Sequence, residues 1–252
     1  MPVRSARKIA PDDATGPRPG GRRPVAVAKA THTAPSRRAP RDRGAETRAR
    51  LIEAALDVFG RLGFEGATTR QIAREATANL AAIVYHFGSK EALYSAVAEH
   101  VVGRIGALLR PGLARLGDPA AAATPAAART ALMGVIGTYA DVLLGAAEAE
   151  RWARFIVREQ MQPTSAFDLI YGFMGGAHGL ATRLVAVALG RPEDDEVKLR
   201  VFAMIGQVLV FRVAQTLVLR RMGWKAIGDA ERATIKRIIT AQAGAILDGA
   251  AP

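Results

Sequence analysis

The chain has 252 residues, half of them hydrophobic, no cysteine, and a formal net charge of +12. That length is enough for a sizeable core in one or two domains, and the missing cysteine excludes disulfide scaffolds, thiolate metal sites and cysteine nucleophiles. His32, His86, His100 and His178 stand far apart with no pair at metal-ligand spacing, so neither a metal nor a cofactor is expected.

The charge is unevenly placed. Residues 1–44 carry 11 Lys or Arg against 3 Asp or Glu; residues 45–90 carry 6 against 5, and residues 91–252 carry 18 against 15. The first 44 residues also hold 7 of the 13 prolines. Such a stretch cannot bury enough apolar surface to offset its ordering entropy, so it reads as a disordered basic tail. It lacks the apolar run of a secretory signal. A DNA-reaching arm and an inert or misassigned leader both explain it.

From Ala45 onward the chain reads helical. Ile52, Ala55, Leu56 and Phe59 follow the 3.6-residue period, and Gly60 and Gly63 mark the end. Thr68 to Gln71 forms a capping box that opens a second helix, with Ile72, Ala73 and Ala76 as its apolar face. Asn79 caps a third helix, and Ser89 caps a fourth from Lys90 to about Leu109. Pro111, Gly112, Asp118, Pro119 and Pro125 read as a linker. Helices are expected at about 127–146, 149–162, 165–189, 195–222 and 229–248, with no strand and no repeat. The apolar run from Val201 to Leu219 is long enough to suggest a membrane span. It contains Gln207, Arg212 and Gln215, so a buried helix of a soluble bundle fits better and no membrane partner is expected.

Two short helices joined by Thr77-Ala78 make a helix-turn-helix, whose second helix enters a DNA major groove. The groove is about 12 Å wide and admits only a slim helix face. Ala81 and Ala82 supply such a face. Leu80, Ile83 and Phe87 fall opposite and would anchor the helix. Tyr85 and His86 stand near its end, where they can reach phosphates or base edges, although Tyr85 can also pack inward with only its hydroxyl wet. Lys90, at the next helix start, suits a phosphate.

Residues 45–95 resemble the DNA-binding domain of the TetR/AcrR family of one-component transcriptional regulators. The resemblance rests on "RLIEAALDVFGRLGFEGATTRQIAREA" followed by "IVYHFGSKEALY". "NLAAI.YHFGSKE", with "FIVREQMQPTSAF" downstream, is similar to the CecR-like branch. The resemblance implies an all-α fold: a disordered tail at 1–44, a three-helix DNA-binding domain at 45–95, and an effector-binding and dimerisation domain at 96–252. It implies DNA contacts from Thr69, Arg70, Asn79, Ala81, Ala82, Val84, Tyr85, His86 and Lys90. Thr77 stands where the family turn often has glycine, which implies slight strain. Val84 stands where Tyr or Asn is usual; an apolar side chain there can still touch a thymine methyl.

The resemblance further implies a cytoplasmic homodimer held by the last two long helices, here 195–222 and 229–248. Val201, Phe202, Ile205, Val208, Leu209, Val213, Leu217, Ile235, Ile238, Ile239 and Ile246 supply either that interface or an ordinary core. Trp152, Phe155, Arg158, Tyr171, Met174, His178 and Arg183 are candidate ligand contacts, apolar walls with a few polar groups. Arg154 and Arg158 are also placed to pair with Glu150 and Glu159. The function expected is a repressor that binds a palindromic operator in double-stranded DNA and is released by a small-molecule effector. An architectural DNA-binding protein without an effector is the alternative. No nucleophile elbow, phosphate loop or carboxylate pair points to an enzyme.

Overall fold

The computed structural model describes residues 40–248, so residues 1–39 of the expected tail lie outside it. Among the described residues there are ten α-helices, one short 3-10 helix at Pro119–Ala122, and no strand. Helix α1 spans Pro40–Gly66. It begins five residues before the expected start at Ala45; proline at a first helical position loses no intrahelical bond. Gly63 breaks it at φ 75°, ψ 177°, where the sequence places its end. Helix α2 (Thr69–Glu75) opens with the full capping box: Thr68 accepts from Gln71 N at 3.2 Å, and Gln71 Oε1 accepts from Thr68 N at 3.0 Å. Helix α3 (Leu80–Phe87) is capped by Asn79, and α4 (Lys90–Leu116) by Ser89.

The chain continues through α5 (Pro125–Gly145), α6 (Ala149–Met161), α7 (Phe167–Leu189), α8 (Asp195–Val213), α9 (Gln215–Met222) and α10 (Asp229–Leu247). Two apolar cores result. Leu51, Leu56, Val58, Phe59, Ile72, Ile83, Leu93 and Val97 form the first, together with Trp152 and Phe155 from α6. The second joins α5, α7, α8 and α10 through residues such as Leu132, Leu184, Val201, Val208, Ile235 and Ile239.

Two expectations are corrected. Pro111 does not end α4: the helix runs on to Leu116, and Gly112 beyond it packs close to Val135 and Thr138 of α5. Packing of one face against α5 outweighs the hydrogen bond that proline deletes. The expected helix 195–222 is broken at Ala214, with α8 and α9 meeting at 71°. Arg212 pins this bend: Nε donates to Leu143 O at 2.7 Å, at the end of α5, and a terminal nitrogen donates to Gln215 Oε1 at 2.7 Å. The apolar residues of the last helices divide between core and surface. In α10 Ile235 and Ile239 are core while Ile238 is 40% exposed; in α8 Val201 and Val208 are core, and an exposed apolar stripe runs along α8 and α9 through Leu199, Phe202, Val210, Val213 and Leu217.

By length and composition α4, α5 and α7 are each apolar enough to cross a membrane, with a mean hydropathy of 1.2 over 18 residues. In the fold all three contribute to the wall of one apolar cavity.

Candidate functional site

The sequence of α3 decides which of its sides faces out. Ile83 is 1% exposed and Phe87 is half-buried against the first core, so these two residues, four apart, seat the helix. The guanidinium of Arg48 lies 5.1 Å from the Phe87 ring centroid and covers its outer face. On the far side Ala81, Val84 and Tyr85 are exposed, Val84 at 65% and Tyr85 at 84%. This face offers one methyl, one isopropyl and one phenol, and no charge. It is narrow enough for a major groove and presents apolar contacts with a single hydrogen-bonding tip.

Tyr85 therefore does not pack inward. Two other expectations exchange places. Leu80 was expected as an anchor but is 43% exposed, on the side of the first turn of α3 that faces away from the core. Ala82 was expected on the groove face but is half-buried against the core, about a quarter-turn from Ile83. His86 is half-buried beside Tyr85 and Phe87. Asn79 Oδ1 accepts from Ala81 N at 3.0 Å, so the residue holds the helix start. Thr69 is the half-buried first residue of α2, and Arg70 beside it is exposed. The Lys90 ammonium sits 4.4 Å from the Phe64 ring centroid, which holds it at the start of α4. Neighbouring Glu91 has its carboxyl below the usual range, through its backbone amide and Ser89. Thr77 adopts φ 49°, alone among the described non-glycine residues, so the turn between α2 and α3 is strained as its missing glycine implies.

Helix α6 docks the three-helix unit. Arg151 reaches α1, donating to Asp57 Oδ1 at 2.6 Å, Glu53 Oε2 at 2.7 Å and Glu53 O at 2.8 Å. Glu159 is fully buried. It accepts from Tyr94 Oη at 2.5 Å, and from Thr164 N and Oγ1 at 2.7 and 2.9 Å. Burial and the Glu159 hydrogen bond push the Tyr94 phenol well above its ordinary range, so it remains a donor. Phe59, Phe64 and Phe155 stack around the Tyr94 ring at centroid distances of 4.7 to 5.1 Å. Arg158 does not pair with Glu159; it donates to Arg61 O at 3.1 Å, while Arg154 does pair with Glu150. The sequence reading missed Arg151 and Glu159 as docking residues. One signal was available: Glu159 shares a helical face with Trp152 and Phe155, where a carboxylate needs a partner.

A cavity of about 180 Å³ lies among α4, α5, α6, α7 and α8. Of the seven candidate ligand contacts, Trp152, Met174 and His178 line it. The other four do not. Phe155 faces the opposite core, Arg158 lies on the outer side of α6, Tyr171 is 65% exposed, and Arg183 is exposed 4.0 Å from Glu193. A larger, polar cleft of about 660 Å³ lies outside α6, edged by Arg61, Arg154, Arg158 and Arg212.

Comparison with known proteins agrees with this geometry. The family model for bacterial regulatory proteins of the TetR family matches residues 51–97, and that for the C-terminal domain of the HTH-type transcriptional dual regulator CecR matches residues 128–250. The dual regulator CecR of Shigella flexneri is 35% identical over 211 residues, covering 82% of this chain and 94% of that protein. A putative transcriptional regulator from Pseudomonas aeruginosa PAO1 shares the fold at a TM-score of 0.60 and 22% identity, covering 85% of this chain and 95% of its own. AibR, solved in complex with isovaleryl coenzyme A and operator DNA, aligns at a TM-score of 0.58 and 16% identity over 78% and 97%. The chain belongs to the TetR family, in its CecR-like branch, and is a DNA-binding transcriptional regulator rather than an enzyme.

Proposed function

We propose that the protein is a cytoplasmic, homodimeric repressor whose hold on a palindromic operator is released by a small molecule in the cavity. One observation carries this reading. Helix α4 starts at Lys90, directly after α3, and the same helix supplies Val102, Ile105, Leu109, Gly112, Leu113 and Leu116 to the cavity wall. A ligand that alters the packing of the second half of α4 tilts the first half, and with it α3. A coupling of about 1–3 kcal/mol suffices for such a switch. The fold of AibR, solved with both a small molecule and operator DNA, supports the pairing of the two sites.

Within this reading Ala81, Val84 and Tyr85 enter the groove, while Thr69, Arg70, His86 and Lys90 hold phosphates. Asn79 and Ala82 fix the position of α3 rather than reading bases. The second copy packs on α7 and α8, not on α10. Leu199, Phe202, Val210, Val213 and Leu217 form an apolar stripe there. On adjacent α7, Gly172, Gly176 and Gly179 have open space where a Cβ would stand, so a partner helix can approach closely. Two such molecules place their α3 helices in successive major grooves, about one helical turn apart.

Selection of bound duplexes from a genomic library with the purified protein tests this reading. One palindrome with half-sites about 10 base pairs apart is expected. Sequence-independent coverage would overturn it in favour of an architectural role.

A further inference from the structure

We infer that the cavity takes a neutral, compact lipophilic molecule carrying a single hydrogen-bonding group, and that it rejects anions and cations of the same size. The inference takes its regulatory meaning from the effector reading above, but it rests on the chemistry of the walls. None of the thirty residues lining the cavity is Asp, Glu, Lys or Arg. The walls are aliphatic and aromatic, with Trp152, Phe173 and Met174 among them. Four polar side chains interrupt them, Thr138 and Tyr139 from α5, Gln160 from α6 and His178 from α7.

All four are neutral at neutral pH. The Thr138 hydroxyl already donates to Gly134 O at 2.9 Å. Burial pushes the Tyr139 phenol up to about 12 and the His178 imidazolium below its ordinary value. A carboxylate or ammonium placed here would lose its hydration and meet no countercharge. Neutral hydrogen bonds do not compensate that loss. A hydroxyl, carbonyl or amide, by contrast, can be satisfied by Tyr139 or His178, or by Gln160, which is itself exposed at the edge of the cavity.

The nearby guanidiniums do not change this balance. Arg154, Arg158 and Arg212 line the outer cleft and not the cavity. They are engaged with Glu150, with Arg61 O, and with Leu143 O and Gln215 respectively. As for size, an apolar cavity of about 150 Å³ holds benzene. This one therefore suits a ligand slightly larger than benzene, of roughly seven to nine heavy atoms.

The test uses the full chain at pH 7.5, titrated by isothermal calorimetry with octan-1-ol, octanoate and octylammonium in turn. Binding of octan-1-ol is expected, with both ions at least about a hundredfold weaker. Filling the cavity with Ala181→Phe, or with Ala177→Leu if the first variant loses helicity, is expected to abolish octan-1-ol binding. An ion that binds within about threefold of octan-1-ol would overturn the inference. So would an absence of binding by any of the three, or binding that both filling variants leave intact. Octan-1-ol that binds in the cavity yet leaves operator affinity unchanged would uphold the ligand class and remove the effector reading alone.

Discussion

Thr77 holds a left-handed backbone conformation that costs a β-branched residue about 1–2 kcal/mol. The turn keeps it because hydrogen bonds on both sides fix the chain: Thr77 N donates to Arg74 O at 3.1 Å and Ala78 N to Ala73 O at 2.9 Å. Thr77→Gly removes the strain, partly offset by the entropy glycine brings to the unfolded chain. A net gain of about 0.5–1 kcal/mol in urea denaturation is expected, and a lower midpoint would show that the threonine side chain stabilises the turn. Caps and turn residues of this kind were legible in the sequence because their partners lie within five positions. Thr68, Asn79 and Ser89 each bond an amide two or three residues on, and each opens its helix where it was expected. The exchange between Leu80 and Ala82 was not legible. Spacing fixed only the buried centre of α3 at Ile83, and which flanking residue is covered depends on where α1, α2 and α4 end.

Helix α6 was expected as a helix carrying candidate ligand contacts, yet it also joins the DNA-binding helices to the rest of the fold. Its Arg151 and Glu159 bond groups 65 to 98 residues earlier in the chain, a separation no local pattern reveals. The bend at Ala214 was hidden for the same reason: no proline or glycine marks it, and its cause is a bond from Arg212 to Leu143 O. Conversely, Pro111 reads as a helix end, and only the packing of α4 on α5 carries the helix past it. Tyr94→Phe tests the docking by α6. The change keeps the ring stack but leaves buried Glu159 without its phenolic donor, a loss of about 1–3 kcal/mol. A lower unfolding temperature with native helicity is expected; unchanged stability would show that the Thr164 bonds alone satisfy the carboxylate.

For the whole molecule, the proposed dimer contact is placed on the exposed apolar stripe of α8 and α9 and the neighbouring face of α7. Apolar content alone could not separate interface from core, since Val201 and Phe202 are neighbours in sequence and one is 2% exposed, the other 58%. Phe202→Glu together with Leu217→Glu places two charges on the stripe. Light scattering is expected to show a monomer at micromolar concentration and operator binding weakened at least tenfold. A persistent dimer would locate the contact elsewhere. The slim face of α3 is probed most directly by Ala81→Glu, a change at an exposed position that adds bulk and negative charge where the groove wall would lie. Fluorescence anisotropy on the selected palindrome, beside a thermal melt, is the decisive measurement. Affinity is predicted to fall at least about a hundredfold with the melting temperature unchanged; wild-type affinity in the variant would mean that this face does not enter DNA.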